Sequence, residues 1–431
     1  MRSGSASRHE RLLQLFERNA LRSRAAGLFR IRVEDQVLEG DLLTIEGRKV
    51  VNFGSCAYLG LNLDPRLKAG AIDAIERFGP VFSSSTAYTS IDLYQTLEDK
   101  LSQIFDAHVV VPTTTTLGHL AALPVLIGDG DAVLVDSQAH STVHLGTQIL
   151  QAEGIPVDPL PHNNLSALEA AIDEATRTYE HVWYLADGVY SMFGDVAPLS
   201  AISDLLEEYP NLHVYYDDAH GFGWSGKSGR GYVLDGHPLH PRMVVIVSLA
   251  KSFGSGGAAI AFPDPATAQR VQLCAGTLTF SGPLHPAELG AAIAAAEIHL
   301  SDELVDRQAR LRHQIDLVRS ALVGASLPAV ALDPTPVWFI RVGGLTQAMD
   351  LARRMLDDGF YLNLASFPAV SPTQSGVRFT HTLYHSDDQI LAMIEVLTKH
   401  LDAIVGEPEI VIDLTALEAQ ASAPRSDLTA G

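Results

Sequence analysis

The chain has 431 residues and a mass of 46.4 kDa, enough for two or three domains around a shared core. Hydrophobic residues make up 47% and charged residues 19%, which excludes intrinsic disorder, and the net charge of −21 argues against a nucleic-acid or anionic-membrane partner. Cys56 and Cys274 are the only two cysteines; they exclude a disulfide framework and an all-cysteine zinc site, and fit a reducing, cytoplasmic setting.

The first thirty residues carry arginines that interrupt every apolar stretch, so no signal-peptide core is present there. Nowhere does an apolar run approach the ~18 residues of a membrane span. The pattern predicts an amphipathic helix with Leu12, Leu13, Leu15 and Phe16 on its apolar side. From Val109 onward, short β-rich runs alternate with helical stretches. The predicted strands are 109–111, 132–135, 182–185, 213–216 and 243–247, with helices such as 165–179 and 199–208 between them. Apolar β-runs alternating with helices predict an α/β fold with a mainly parallel sheet covered on both faces, ligands gathering at the carboxyl ends of its strands. One long Ala- and Leu-rich helix is expected over 286–322. A small α+β domain follows, with strands at 337–340, 361–364 and 377–379 and helices at 347–357 and 386–401. The expected organisation is an N-terminal helix and arm (1–60), a large domain (61–290), a long helix and small C-terminal domain (291–406), and a loosely held tail (407–431).

Several chemical patterns are decoys. Gly221 to Ser228 fits the phosphate-loop expression G-x-x-x-x-G-K-S, but Gly229, Arg230 and Gly231 follow where that loop needs a helix. The pairs His140/His144 and His381/His385 have helical spacing without a third ligand, so no metal is assigned. No G-x-S-x-G elbow follows a strand. More informative is a stretch of about 35 residues. The strand 213–216 ends in Asp217-Asp218-Ala219-His220, and the strand 243–247 ends in Ser248-Leu249-Ala250-Lys251, followed by small residues through Gly257. Both ends open on the same sheet edge, with room for a flat ligand. A lysine there can lose its proton and form a Schiff base, and an aspartate facing a pyridine nitrogen makes bound pyridoxal an electron sink.

These motifs, together with Asn52-Phe53, Tyr58-Leu59-Gly60-Leu61, Asp136 with His140, the run Asp187 to Asp195 leading into Ala197-Pro198-Leu199, Gly229-Arg230-Gly231 and Val377-Arg378-Phe379, occur in the order found in the α-oxoamine synthases. The sequence resembles that family, part of the fold-type I pyridoxal 5'-phosphate (PLP) enzymes, over about residues 50–401. The resemblance implies a large PLP-binding domain with a small C-terminal α+β domain, a homodimer with sites at the interface, and a decarboxylating Claisen-type condensation of an amino acid with an acyl thioester. It gives Lys251 the Schiff base and the proton transfers, Asp217 the pyridine nitrogen, and His220 and Ser191 the ring's phenolic oxygen. His140 would stack on the ring and help position the thioester. Ser248 and the amides of Thr116, Leu117 and Gly118 would hold the phosphate, with Ser281 reaching the phosphate of the partner subunit. Arg378 would grip the amino acid carboxylate.

Three segments depart from the family pattern: Ser55-Cys56-Ala57, where the family places an asparagine touching the substrate carboxylate; Pro80 to Thr86; and Thr114 to His119. They leave the amino acid and the acyl donor open, with Cys56 as a substrate-contacting candidate. The acyl group arrives on coenzyme A or on an acyl-carrier protein. The acidic chain disfavours an acidic carrier unless a local basic patch exists, and the arginines of residues 2–32 are the candidate for one. Competing readings are an aminotransferase or another PLP enzyme acting at the α-carbon, a PLP-fold scaffold, which the presence of Lys251 opposes, and a nucleotide triphosphatase using Lys227.

Overall fold

A computed structural model describes residues 7–405; the tail expected at 407–431 lies outside the described residues. An N-terminal helix, Arg8–Ala25, is followed by a hairpin of β1 (Leu42–Ile45) and β2 (Arg48–Asn52). The central sheet then collects β3 (His108–Val110), β4 (Asp131–Asp136), β5 (Val157–Leu160), β6 (His181–Asp187), β7 (Leu212–Asp217), β8 (Met243–Ser248) and β9 (Ala258–Phe262) in the order β3-β9-β8-β7-β6-β4-β5. The five strands from β8 to β5 are parallel, and β9 runs antiparallel to both β8 and β3. All five predicted strands are present. β5 and β9 are additions.

Period-two alternation explains the two-sided burial. Val133, Val135, Trp183, Leu185, Tyr215 and Ile246 face one core, with the helices Thr115–Leu126, Ser141–Ala152 and Pro265–Cys274 packed over them. Their neighbours Ala132, Leu134, Tyr184, Val214 and Val245 face the other, under the helices Asp92–Phe105, Leu165–Ala175 and Leu199–Glu208. Each buried branched side chain contributes about 1.5–3 kcal/mol.

The long helix expected over 286–322 is two helices, Pro286–His299 and Glu303–Gly324, parted at Ser301-Asp302, where polar residues suited to capping interrupt the apolar run. Helix Pro286–His299 lies so close to helix Pro65–Phe78 that a Cβ on Gly70 would sit 2.5 Å from the Gly290 carbonyl.

In the C-terminal part, β10 (Val337–Gly343), β12 (Asn363–Ala365) and β13 (Ser375–Thr380) form an antiparallel sheet, order β10-β13-β12. The strand expected at 361–364 is split: β11 (Phe360–Tyr361) leaves this sheet and pairs in parallel with β2, tying the N-terminal hairpin to the C-terminal part. The helices Leu345–Asp357 and Asp387–Val405 complete it.

The N-terminal helix forms, with Ser7 Oγ accepting from the Glu10 amide, but its apolar side is not buried. Leu12, Leu13 and Phe16 are 44%, 49% and 41% exposed, while Asn19 and Ser23 face the protein. No helix among the described residues is long and apolar enough to cross a membrane.

Candidate active site

The carboxyl ends of β6, β7 and β8 meet on one edge of the sheet. Parallel pairing sets Asp187 beside Asp217 and Asp217 beside Ile246, so Lys251, three residues past β8, projects into the same region. Gly254 makes the turn behind it with φ +82°, and a Cβ there would collide with the Asn62 backbone at 2.7 Å. Burial lowers the Lys251 ammonium below the ordinary lysine range against the opposing pull of Asp217.

Asp217 is buried yet stays ionised. Burial pushes its carboxyl up, but a hydrogen bond from His119, together with the charges of His119, Lys251 and His140, outweighs this and brings it to about 2. His119 Nε2 lies 3.0 Å from Asp217 Oδ2, and the Ala219 amide donates to Oδ1 at 3.0 Å. Asp187 behaves oppositely: burial and the Asp217 charge push its carboxyl well above the usual range, while its Oδ1 accepts from the His140 amide at 3.0 Å. Asp218 accepts from the Val233 amide at 3.1 Å, and a Cβ on Gly221 would come within 2.2 Å of its Oδ1.

His140 caps the helix Ser141–Ala152, its Nδ1 2.7 Å from Thr142 Oγ1, and burial holds the ring below the ordinary histidine value. The Tyr58 hydroxyl is 2.7 Å from His220 Nδ1; burial and the Lys251 and Arg378 charges push His220 well below its ordinary value, leaving it neutral. Ser248 ends β8, its hydroxyl accepting from the Ala250 amide at 3.2 Å. The helix Thr115–Leu126 starts one residue earlier than the assigned amides. Thr114 caps it and takes the Leu117 amide on Oγ1 and the Gly118 amide on its carbonyl, so these two are engaged. The Thr115 and Thr116 amides carry no protein acceptor among the described residues.

Arg378 is 8% exposed, in the middle of β13. Its Nε donates to the Ser191 carbonyl at 2.7 Å, and its Nη2 lies 3.8 Å from Cys56 Sγ. No carboxylate among the described residues pairs with it, which leaves a buried guanidinium without its usual counter-charge. Burial pushes the Cys56 thiol up, but Arg378 and Lys251 outweigh it and hold the thiol below its ordinary value. Ser281 stands apart, on the loop beside Gly282, which borders a cavity of about 640 Å³ lined by Tyr94, Glu98, Thr113 and Thr277. Lys227–Gly229 is a single 3-10 turn, so the phosphate-loop expression has no helix behind it.

The structure therefore brings together Lys251, Asp217, His140, His220, Ser191, Arg378 and Cys56, with Ser248 at the end of β8. His119, Tyr58 and Asp187 join them without having been assigned roles from the sequence. The donor set suits PLP: an amine of lowered basicity, an ionised buried carboxylate for a protonated ring nitrogen, and two outward amides at a helix start for a phosphate.

Residues 48–407 match the family described as aminotransferase class I and II. The chain is 31% identical over 381 residues to 8-amino-7-oxononanoate synthase of Geobacter sulfurreducens, covering 87% of this chain and 95% of that one. It is 32% identical over 402 residues to the Maricaulis maris enzyme of the same name, covering 90% and 95%. Among solved structures, serine palmitoyltransferase of Sphingomonas wittichii superposes with a TM-score of 0.83 at 22% identity, over 94% of this chain and all of that one. The chain belongs to the aminotransferase class I and II family and, within its fold-type I PLP enzymes, to the α-oxoamine synthases, acyltransferases that condense an amino acid with an acyl thioester and release carbon dioxide.

Proposed function

We propose that this site joins an α-amino acid, held by Arg378, to an acyl group delivered as a thioester, giving an α-amino ketone, carbon dioxide and a free thiol. The observation that carries the reading is the buried, carboxylate-free Arg378 on the same side of the site as Lys251. A substrate carboxylate supplies the missing counter-charge, and the planar guanidinium suits it.

Bound PLP supplies an electron sink that makes the substrate α-carbon acidic. Around it, Lys251 Nζ, its basicity lowered by burial, would hold the cofactor through its carbonyl carbon and, once the substrate amine has displaced it, would be the base placed to take the α-proton. Asp217, braced by His119, would keep the ring nitrogen protonated. Neutral His220 and Ser191 would hold the phenolic oxygen, and Ser248 with the Thr115 and Thr116 amides would hold the phosphate. His140 would cover the ring face and orient the thioester carbonyl. A second copy of the chain covers the 640 Å³ cavity face, where Phe280 and Tyr88 are 83% and 81% exposed, bringing Ser281 to the neighbouring site. A reducing, cytoplasmic compartment keeps Cys56 as a thiol.

The test is near-visible absorbance with PLP before and after borohydride, followed by thiol release from acyl thioesters in the presence of amino acids. Wild type should show a band that borohydride fixes covalently, and Lys251→Ala should not. An aminotransferase would give the band but release no thiol, and that result would sink the condensation reading.

A further inference from the structure

We propose that Asp187 is the positioning residue for His140: as a neutral acid it holds the main-chain N–H of His140, and its proton leaves Asp217 the single carboxylate charge beside Lys251. The inference rests on the site reading above, in which His140 covers the cofactor ring and orients the thioester.

Three neighbouring parallel strands end in an aspartate: β4 in Asp136, β6 in Asp187 and β7 in Asp217. All three are buried, at 0%, 3% and 5% exposure. The two outer ones each hold a histidine. His162 Nδ1 lies 2.9 Å from Asp136 Oδ1, and His119 Nε2 lies 3.0 Å from Asp217 Oδ2. Asp187, between them, holds none; among the described residues its carboxyl takes one hydrogen bond, from the His140 amide to Oδ1 at 3.0 Å. Like charges crowded in a buried row cannot all persist, and the proton settles on the member with the least compensation. The charged groups around Asp187 agree. Burial and the Asp217 and Asp136 charges push its carboxyl up, against the pull of Lys251 and the His140 amide. The nearby phenols of Tyr184 and Tyr190 are themselves raised by burial and add no charge.

The same row of aspartates fixes the loop that carries His140. The Gln138 amide donates to Asp136 Oδ1 at 2.8 Å and the Ala139 amide to the Asp136 carbonyl at 3.0 Å, so one strand end holds the start of the loop. Asp187 holds its end. With the main chain pinned there and Nδ1 2.7 Å from Thr142 Oγ1, the imidazole is fixed at both its root and its ring. Accepting an amide at Oδ1 is work for a carbonyl oxygen, which a protonated carboxyl retains while Oδ2 carries the proton.

The test begins with infrared spectra of the full-length, PLP-loaded protein near neutral pH. Wild type minus Asp187→Asn should show a carboxylic acid carbonyl band; Asp218, also pushed up by burial, contributes to both spectra and cancels. Asp187→Leu, which lacks the acceptor, should raise the KM for the acyl thioester at least about tenfold, the equivalent of one hydrogen bond, with a smaller effect on the KM for the amino acid. Asp187→Asn keeps the acceptor oxygen and the zero charge, so it should recover most of that loss and leave the acid limb of kcat/KM where it is in wild type. An absent band overturns the proposal. So does an acid limb moved to lower pH in Asp187→Asn, because removing an ionised neighbour would lower Asp217. Equal rises of both KM values in Asp187→Leu, or no rise in either, would detach Asp187 from His140. Failure of wild type to release thiol from any thioester overturns instead the reaction on which the inference rests, and leaves the infrared band to decide the protonation of Asp187.

Discussion

His119 Nε2 lies 3.0 Å from Asp217 Oδ2 while His119 Nδ1 meets the Tyr215 hydroxyl at 3.0 Å, so one fully buried imidazole grips two side chains on the same face of β7. The contact opposes the desolvation of Asp217 and aims its carboxylate. In His119→Phe burial acts with less opposition, and the Asp217 carboxyl rises from about 2. Asp217 then protonates at higher pH and releases the ring nitrogen. The acid limb of kcat/KM should move up by at least about one pH unit, with weaker PLP retention, and His119→Asn should restore part of both. An unmoved acid limb would make His119 a packing residue.

Arg378 combines burial with the lack of a carboxylate partner, so its removal has opposite effects on binding and folding. In Arg378→Met the KM for the amino acid should rise about 100-fold, the equivalent of nearly 3 kcal/mol for a charge-assisted pair. The melting temperature should hold or rise, because a buried charge has been removed. Arg378→Lys should recover little, since a point charge cannot reproduce the fork that reaches both the Ser191 carbonyl and a carboxylate. Unchanged KM with lowered stability would instead make Arg378 structural.

How much of this was legible in the chain depends on the range of the interaction. The strands at 132–135, 182–185, 213–216 and 243–247 announce themselves because strands covered on both faces are apolar throughout. β5 escapes notice because Asp158 and Pro159 interrupt it at the sheet edge, and β9 because Ala258 and Ala259 continue a glycine-rich run. Lys251 and Asp217 stand out as charges at apolar strand ends. His119 does not, since 98 residues separate it from Asp217, and only the packing of the helix Thr115–Leu126 on β7 brings them together. The N-terminal helix shows the reverse case: its periodicity is real, but periodicity does not say what covers the apolar stripe.

His162 sits between two carboxylates, with Nδ1 2.9 Å from Asp136 Oδ1 and Nε2 2.5 Å from Asp195 Oδ2. Burial lowers its value, but the two carboxylates outweigh this and raise it to about 9. Because the folded value lies above the unfolded ~6.5, the added stability is fully present below that pH and is lost as pH rises through 9. It amounts to about 2–3 kcal/mol for a ring that is one-fifth exposed. Urea unfolding should show wild type losing this amount between pH 6.5 and 9.5, with His162→Gln nearly flat over the same interval. Parallel curves for the two proteins would contradict the assignment.

Cys56 Sγ lies 3.8 Å from Arg378 Nη2, and the Arg378 and Lys251 charges hold its thiol below the ordinary range despite burial. A thiolate in that position is nucleophilic, and it occupies the ground that a substrate carboxylate on Arg378 must share. Iodoacetamide should therefore inactivate the enzyme in a Cys274→Ser background, where the exposed second cysteine cannot contribute. The inactivation rate should rise with a midpoint below the ~8.5 of a free thiol. A saturating amino acid substrate should slow it by at least about tenfold, the effect of blocking access to a buried sulfur. Cys56→Ser should resist the reagent while keeping its PLP absorbance, because nothing that holds the cofactor is lost. If the rate follows an ordinary thiol midpoint and the amino acid gives no protection, Cys56 is remote from the carboxylate subsite and the placement of the substrate on Arg378 must be revised.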